Sequence, residues 1–115
     1  MKANELRIGN HANILGVDVV LTMQDLYEFH NKKRIIKPIK LTEDWLLDHG
    51  FKYSTDLFYS IKTGISWVTL EVCLIHKRVI LFDRKKAIFI DLKYTKYVHE
   101  LQNLYFEITK KELIG

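Results

Sequence analysis

Residues 51–92 carry five runs rich in Tyr, Phe, Val, Ile and Thr, namely FKYS, LFYSI, SWVTLEVCL, RVILF and AIFID, separated only by TD, KTG, IHK and DRKK. Runs of this length, bounded by turn-forming residues, read as β-strands. Connections so short cannot cross over a sheet to a parallel neighbour, so each strand must pair antiparallel with the next. The stretch is therefore a meander, and a doubly wound parallel architecture is excluded. In the longest run Val68, Leu70, Val72 and Leu74 alternate with Trp67, Thr69, Glu71 and Cys73. The first set is expected to face the core and the second to be at least partly wet.

A meander with one apolar face needs a cover, and the segment YVHELQNLYFEI, residues 97–108, has the right periodicity. Read as a helix, Tyr97, Val98, Leu101, Leu104, Tyr105 and Ile108 cover an arc of about 120°, the width of a helix lying on a core. His99, Gln102 and Phe106 form a second stripe on the other side. Two explanations stand for it: the chain's last residues, including Leu113 and Ile114, fold back over Phe106, or the stripe is a contact surface for a protein partner or a second copy. Aromatic enrichment at interface cores makes His99, Gln102 and Phe106 the candidate partner-binding residues.

Upstream, residues 5–22 read as two short strands, ELRIG and GVDVVLT, with the turn in NHANILG. Thr22 and Asp25 have capping-box spacing and precede Met23, Leu26, Tyr27 and His30 at helical intervals. Pro38 makes RIIKPIK extended, because it lacks an N–H and pushes Lys37 out of the helical region. In LTEDWLLDHGF, Thr42 is an N-cap and Leu41 with Leu46 a hydrophobic staple, while Glu43 and Asp44 complement the helix dipole. Gly50 then supplies a left-handed C′ residue, with Phe51 able to fold back on Leu46. The expected fold is a single α+β domain over residues 1–115, in which an antiparallel meander of about five strands is packed by a C-terminal helix and completed by an N-terminal strand pair and two short helices.

Composition narrows the chemistry. With 48% apolar and 28% charged residues in 115, the chain is globular, and its longest apolar runs fall far short of a membrane span. The start lacks the apolar core of a secretory signal, so a cytoplasmic setting is expected. The single cysteine, Cys73, removes any intrachain disulfide or multi-cysteine zinc site. His11, His30, His49, His76 and His99 show no metal-ligand spacing, and no nucleophile motif or glycine-rich phosphate loop is present. No catalytic residue, metal, cofactor or small-molecule ligand is expected; Glu71 would be a candidate acid or base only if it were both buried and perturbed in a polar pocket, and simple strand alternation on a solvated face is the expected account of it. The net charge is +4, and positive residues cluster in NKKR, DRKK, LKYTK and TKK, several beside Tyr or Phe. Lys32, Lys33, Arg34, Arg84, Lys85 and Lys86 are the candidate nucleic-acid contacts, set against the ordinary use of lysine-rich turns to keep a small sheet soluble.

Three blocks, ANELRIGN, KPIKLTEDWLLDHGF and KYVHELQNLYFEITKKEL, resemble signatures of a family of small proteins encoded by bacteriophages, prophages and related elements of gut bacteria. There the middle block usually reads KPIPLTEEWL and the last YVHQLQNLYFALTGEEL. Departures include Lys40 for the second proline, Glu100 for Gln and EITKKEL for the glycine-containing tail. The resemblance implies a phage or mobile-element setting, in host cytoplasm or virion, and carries no activity or catalytic residue. The leading expectation is a non-catalytic interaction or structural protein of that origin. The alternative is a small basic nucleic-acid-binding accessory protein.

Overall fold

The computed structural model describes residues 5–54 and 57–113, the side chain of Lys93 aside. In chain order come β1 (His11–Ile14), β2 (Val17–Val20), α1 (Met23–His30), α2 (Glu43–Asp48), β3 (Lys52–Tyr53), β4 (Phe58–Lys62), β5 (Val68–Cys73), β6 (Arg78–Asp83), β7 (Ile88–Tyr94) and α3 (Val98–Thr109). β1 and β2 form a hairpin, and β3 to β7 form one antiparallel sheet in sequential order. This is the α+β meander with a terminal helix that the strand spacing demands. The TD break lies outside the described residues.

Local chemistry forms the helices as read. In α1 the Thr22 hydroxyl accepts from the Asp25 N–H at 3.3 Å, and the Asp25 carboxylate accepts from the Thr22 N–H at 3.0 Å. The two side chains thus satisfy, reciprocally, two donors the helix cannot satisfy itself. In α2 Thr42 accepts from the Trp45 N–H at 3.2 Å. Gly50 adopts φ +91°, and the Phe51 N–H closes a Schellman bond to the Leu46 carbonyl at 3.0 Å. Leu46 and Phe51 are both buried in the main core.

That core lies between one face of the sheet and the two later helices. Leu70, Val72 and Val79 meet Leu46 from α2 and Leu101 and Tyr105 from α3, with Leu113 beside them. The terminal helix thus covers the Leu70–Val72 face. A smaller core under the hairpin and α1 holds Leu6, Ala12, Ile14, Leu21 and Ile36. The extended segment around Pro38 ties the parts together. Lys37 exchanges both backbone bonds with Asn13 at 2.8 Å, and the Val98 N–H reaches the Ile39 carbonyl at 2.9 Å.

Three expectations are corrected. ELRIG is not a strand: Asn10 accepts the Arg7 N–H through its side chain at 2.6 Å, its own N–H returns to the Arg7 carbonyl at 3.1 Å, and Gly9 takes φ +93°. The first strand therefore starts at His11, inside NHANILG, and the hairpin turns at Leu15 and Gly16, with φ of 53° and 83°. Both asparagines of NHANILG form turns: Asn10 before the hairpin, and Asn13 within it, where its side chain accepts the Gly16 N–H at 3.0 Å.

The second correction concerns β5. Thr69 and Glu71 on the face expected to be at least partly wet are buried, with exposures of 8% and 7%; Cys73, at 3%, is a buried thiol, as expected of a lone cysteine. The third concerns His99 and Gln102, which are 1% and 3% exposed. What covers them is this chain's own N-terminal segment. Gln102 Oε1 accepts from the His11 N–H at 2.8 Å and the Asn10 side chain at 3.4 Å. Arg7 donates to Asn103 at 2.7 Å and lays its guanidinium 4.5 Å from the centre of the half-buried Phe106 ring. The second stripe of α3 is an internal joint, so it is no free contact surface. Leu113 joins the main core, and Ile114 lies outside the described residues.

Candidate functional site

With both stripes of α3 taken, one surface that no helix covers among the described residues is the other face of the sheet. Strand register orders it. One row runs Ser60, Glu71, Ile80, Asp91; the next runs Lys62, Thr69, Phe82, Phe89; on the other side lie Phe58, Cys73, Arg78 and Tyr94. None of the apolar residues that build the two cores comes from Phe58, Ile80, Phe82 or Phe89.

These rows enclose a hollow of about 220 Å³ whose lining includes Phe58, Ser60, Thr69, Glu71, Phe82 and Phe89. Ser54 and Arg84 complete the rim. Phe82 and Phe89 are a directly opposed cross-strand pair, stacked with centroids 4.4 Å apart and planes 14° from parallel. Glu71 is shut in by its row neighbours, and the Ser60 hydroxyl donates to its carboxylate. The lining described contains no helix residue, so side chains of neighbouring strands and turns surround Glu71. Alternation alone counts faces and cannot register this, which is why the face was expected to be wet. Among the described residues the polar lining holds no histidine, lysine or cysteine, so the Ser60 hydroxyl has a carboxylate beside it and, among them, no stronger base of the kind that activates a serine nucleophile.

Arg84, Lys85 and Lys86 gather at the β6–β7 turn beside this hollow. The Arg84 N–H and guanidinium bond to the Trp67 and Ser66 carbonyls at 2.8 and 2.9 Å. Lys85 holds its ammonium 4.9 Å above the Trp67 ring, and Asp83 fixes the turn by accepting the Lys85 and Lys86 N–H groups. Lys32, Lys33 and Arg34 follow α1 on the smaller core instead, and Arg34 is committed to Glu28 at 2.5 Å. The two basic groups expected from sequence thus belong to different parts of the molecule.

A second polar cluster joins the hairpin to α2. Trp45 and His49 stack at 3.9 Å, and His11 meets them edge-on at 5.9 and 5.1 Å. Trp45 donates to His11 Nδ1 at 3.4 Å, and His49 Nδ1 donates to the Trp45 carbonyl at 2.7 Å. Burial, with His49 nearby, lowers the His11 pKa against the pull of Asp18. Tyr59 donates to Glu43, which pushes its hydroxyl up to about 12 and pins the first turn of α2 to β4. Among the described residues no three His, Cys, Asp or Glu side chains come together as a metal site.

Another open feature is the outer edge of β7. Among the described residues nothing pairs with it, and Ile88, Phe89 and Ile90 are 47%, 63% and 48% exposed. No helix among the described residues is long and apolar enough to cross a membrane. Compared with known proteins, the chain matches no family model, no curated protein and no solved structure.

Proposed function

We propose that this chain is a non-catalytic interaction protein, working in a bacteriophage or mobile-element setting, whose β7 edge takes an extended strand from another polypeptide. The observation that carries this reading is the unguarded edge itself. An outer strand exposes a row of unpaired N–H and C=O groups, and folded proteins normally blunt it by shortness, charge, proline or a bulge. The opposite edge of the sheet follows that rule, because β3 has only two residues. In β7 the bulge opposite Val79 and Ile80 and the charged Asp91 guard the second half. Its first half, the apolar run Ile88, Phe89 and Ile90, carries no such device. Strand addition supplies affinity through main-chain bonds and specificity through alternate side chains.

The test compares the wild-type chain with Ile88→Lys/Ile90→Lys. Light scattering of the purified chain across concentration reads self-pairing, and affinity purification from phage-infected or induced cells reads other partners. We expect an assembly or a partner that the double variant loses while its fold, followed by circular dichroism, is kept. A chain that stays monomeric and captures nothing sensitive to the double substitution refutes the reading.

A further inference from the structure

We propose that the Glu71 hollow on the open sheet face is a base-binding pocket for single-stranded nucleic acid, selective for guanine. This goes beyond the edge reading and stands on different residues. The ligand must answer four features at once. The floor is a carboxylate, which only accepts hydrogen bonds when ionised. The walls are the rings of Phe58, Phe82 and Phe89, surfaces on which a planar group stacks. Ser60 and Thr69 add small hydroxyls, and the rim carries Arg84, with Lys85 at the adjoining turn.

A planar ring with N–H donors at its edge and an anion close by fits all four. A nucleotide has that layout, and the donor pattern selects the base. Guanine presents N1–H and the N2 amino group side by side, matching the two oxygens of one carboxylate. Adenine and cytosine set an amino group beside a bare ring nitrogen, whose lone pair would face the carboxylate. Uracil and thymine flank their one N–H with two carbonyls. Only an unpaired strand offers this edge, since a duplex uses it for base pairing. The rival occupant, an arginine side chain of a protein partner, would satisfy Glu71 and the rings. It would also bring a cation against Arg84 and leave the basic rim without a counter-charge, so the rim favours the nucleotide.

The experiment is fluorescence anisotropy with labelled six-nucleotide strands, RNA and DNA versions alike, alternating uracil or thymine with guanine, with inosine, which lacks the N2 amino group, or with adenine. We expect guanine strands to bind roughly 5- to 150-fold more tightly than inosine strands, the range for one good bidentate contact. Glu71→Gln should abolish that preference and keep the salt-dependent remainder. Arg84→Ala and Lys85→Ala should weaken all strands alike and shallow the salt dependence. Phe89→Ala, at a largely exposed side chain whose loss removes only one cross-strand pair, should cost every strand a stacking loss of similar size. Equal binding of guanine and inosine, a preference that survives Glu71→Gln, or no binding at low salt overturns the proposal. So does titration with N-acetyl-arginine amide that shifts the Ser60 and Phe82 amide resonances while the oligonucleotides leave them unmoved. Ile88→Lys/Ile90→Lys should leave guanine preference intact, which separates the pocket from the edge.

Discussion

Replacing Gln102 by Ala tests how the N-terminal segment is held on α3. Gln102 is buried, and its Oε1 is the acceptor for the His11 backbone N–H at 2.8 Å. Asn10 has a second acceptor in Asn103 at 2.9 Å, so its amide survives the loss; the His11 N–H does not. A buried donor left without a partner costs about 1–3 kcal/mol. For a domain of this size each kcal/mol lowers the melting temperature by roughly 4 °C, so the expected fall is on the order of 4–12 °C. Urea denaturation gives the free energy directly, and hydrogen exchange at the His11 amide reports the site: it should exchange faster than in the wild type while amides of β5 keep their protection relative to global unfolding. A loss below about 0.5 kcal/mol, the scatter of ordinary surface substitutions, would refute the claim that this side chain holds the joint.

Other outcomes follow from the same contacts. Burial lowers the His99 pKa below its usual value against the opposing pull of Glu100 and Glu5, so the unfolded chain binds this proton more readily than the folded one. Stability from His99 should be complete above about pH 6.5 and fall as the pH drops through the lower folded value, with urea midpoints from pH 7 to pH 5 showing the slope and His99→Gln flattening it. Leu101, fully buried between sheet and helix, should cost about 2–5 kcal/mol as Leu101→Ala, read by the same denaturation. Leu15, 91% exposed at φ 53° in the hairpin turn, should be improved by Leu15→Asn by up to about 1 kcal/mol, because asparagine tolerates the left-handed region. Cys73, buried at 3% exposure, should react with a thiol reagent only at the rate at which the protein opens.

Much of this was readable from residue order, and the limits have physical causes. Short breaks between β-rich runs dictated the sheet order, and capping chemistry at Thr22, Thr42 and Gly50 placed the start of α1 and both ends of α2, because these signals act within a few residues. The joint between α3 and the N-terminal segment depends on Arg7, Asn10 and His11 meeting residues more than ninety positions away. Helical periodicity could say that His99, Gln102 and Phe106 share a side; it could not say what lies on that side. The hollow was hidden for a related reason. Alternation in β5 assigns Glu71 to the second face, while its burial comes from side chains on β4 and β6 brought alongside by pairing. One signal was present in the sequence, the placement of Phe in LFYSI, RVILF and AIFID beside DRKK. Only register shows that Phe82 opposes Phe89 and that Arg84 lines the same hollow.

The central claim is that the helix's second side is closed by its own chain while the sheet's second face is open. Nuclear magnetic resonance with a soluble paramagnetic gadolinium chelate reads both at once, through the relaxation each proton acquires from solvent. The ring protons of Phe89 should relax strongly, and the side-chain amide of Gln102 and the ring of His99 should stay protected. Strong relaxation at Gln102 and His99 together with a protected Phe89 would contradict it.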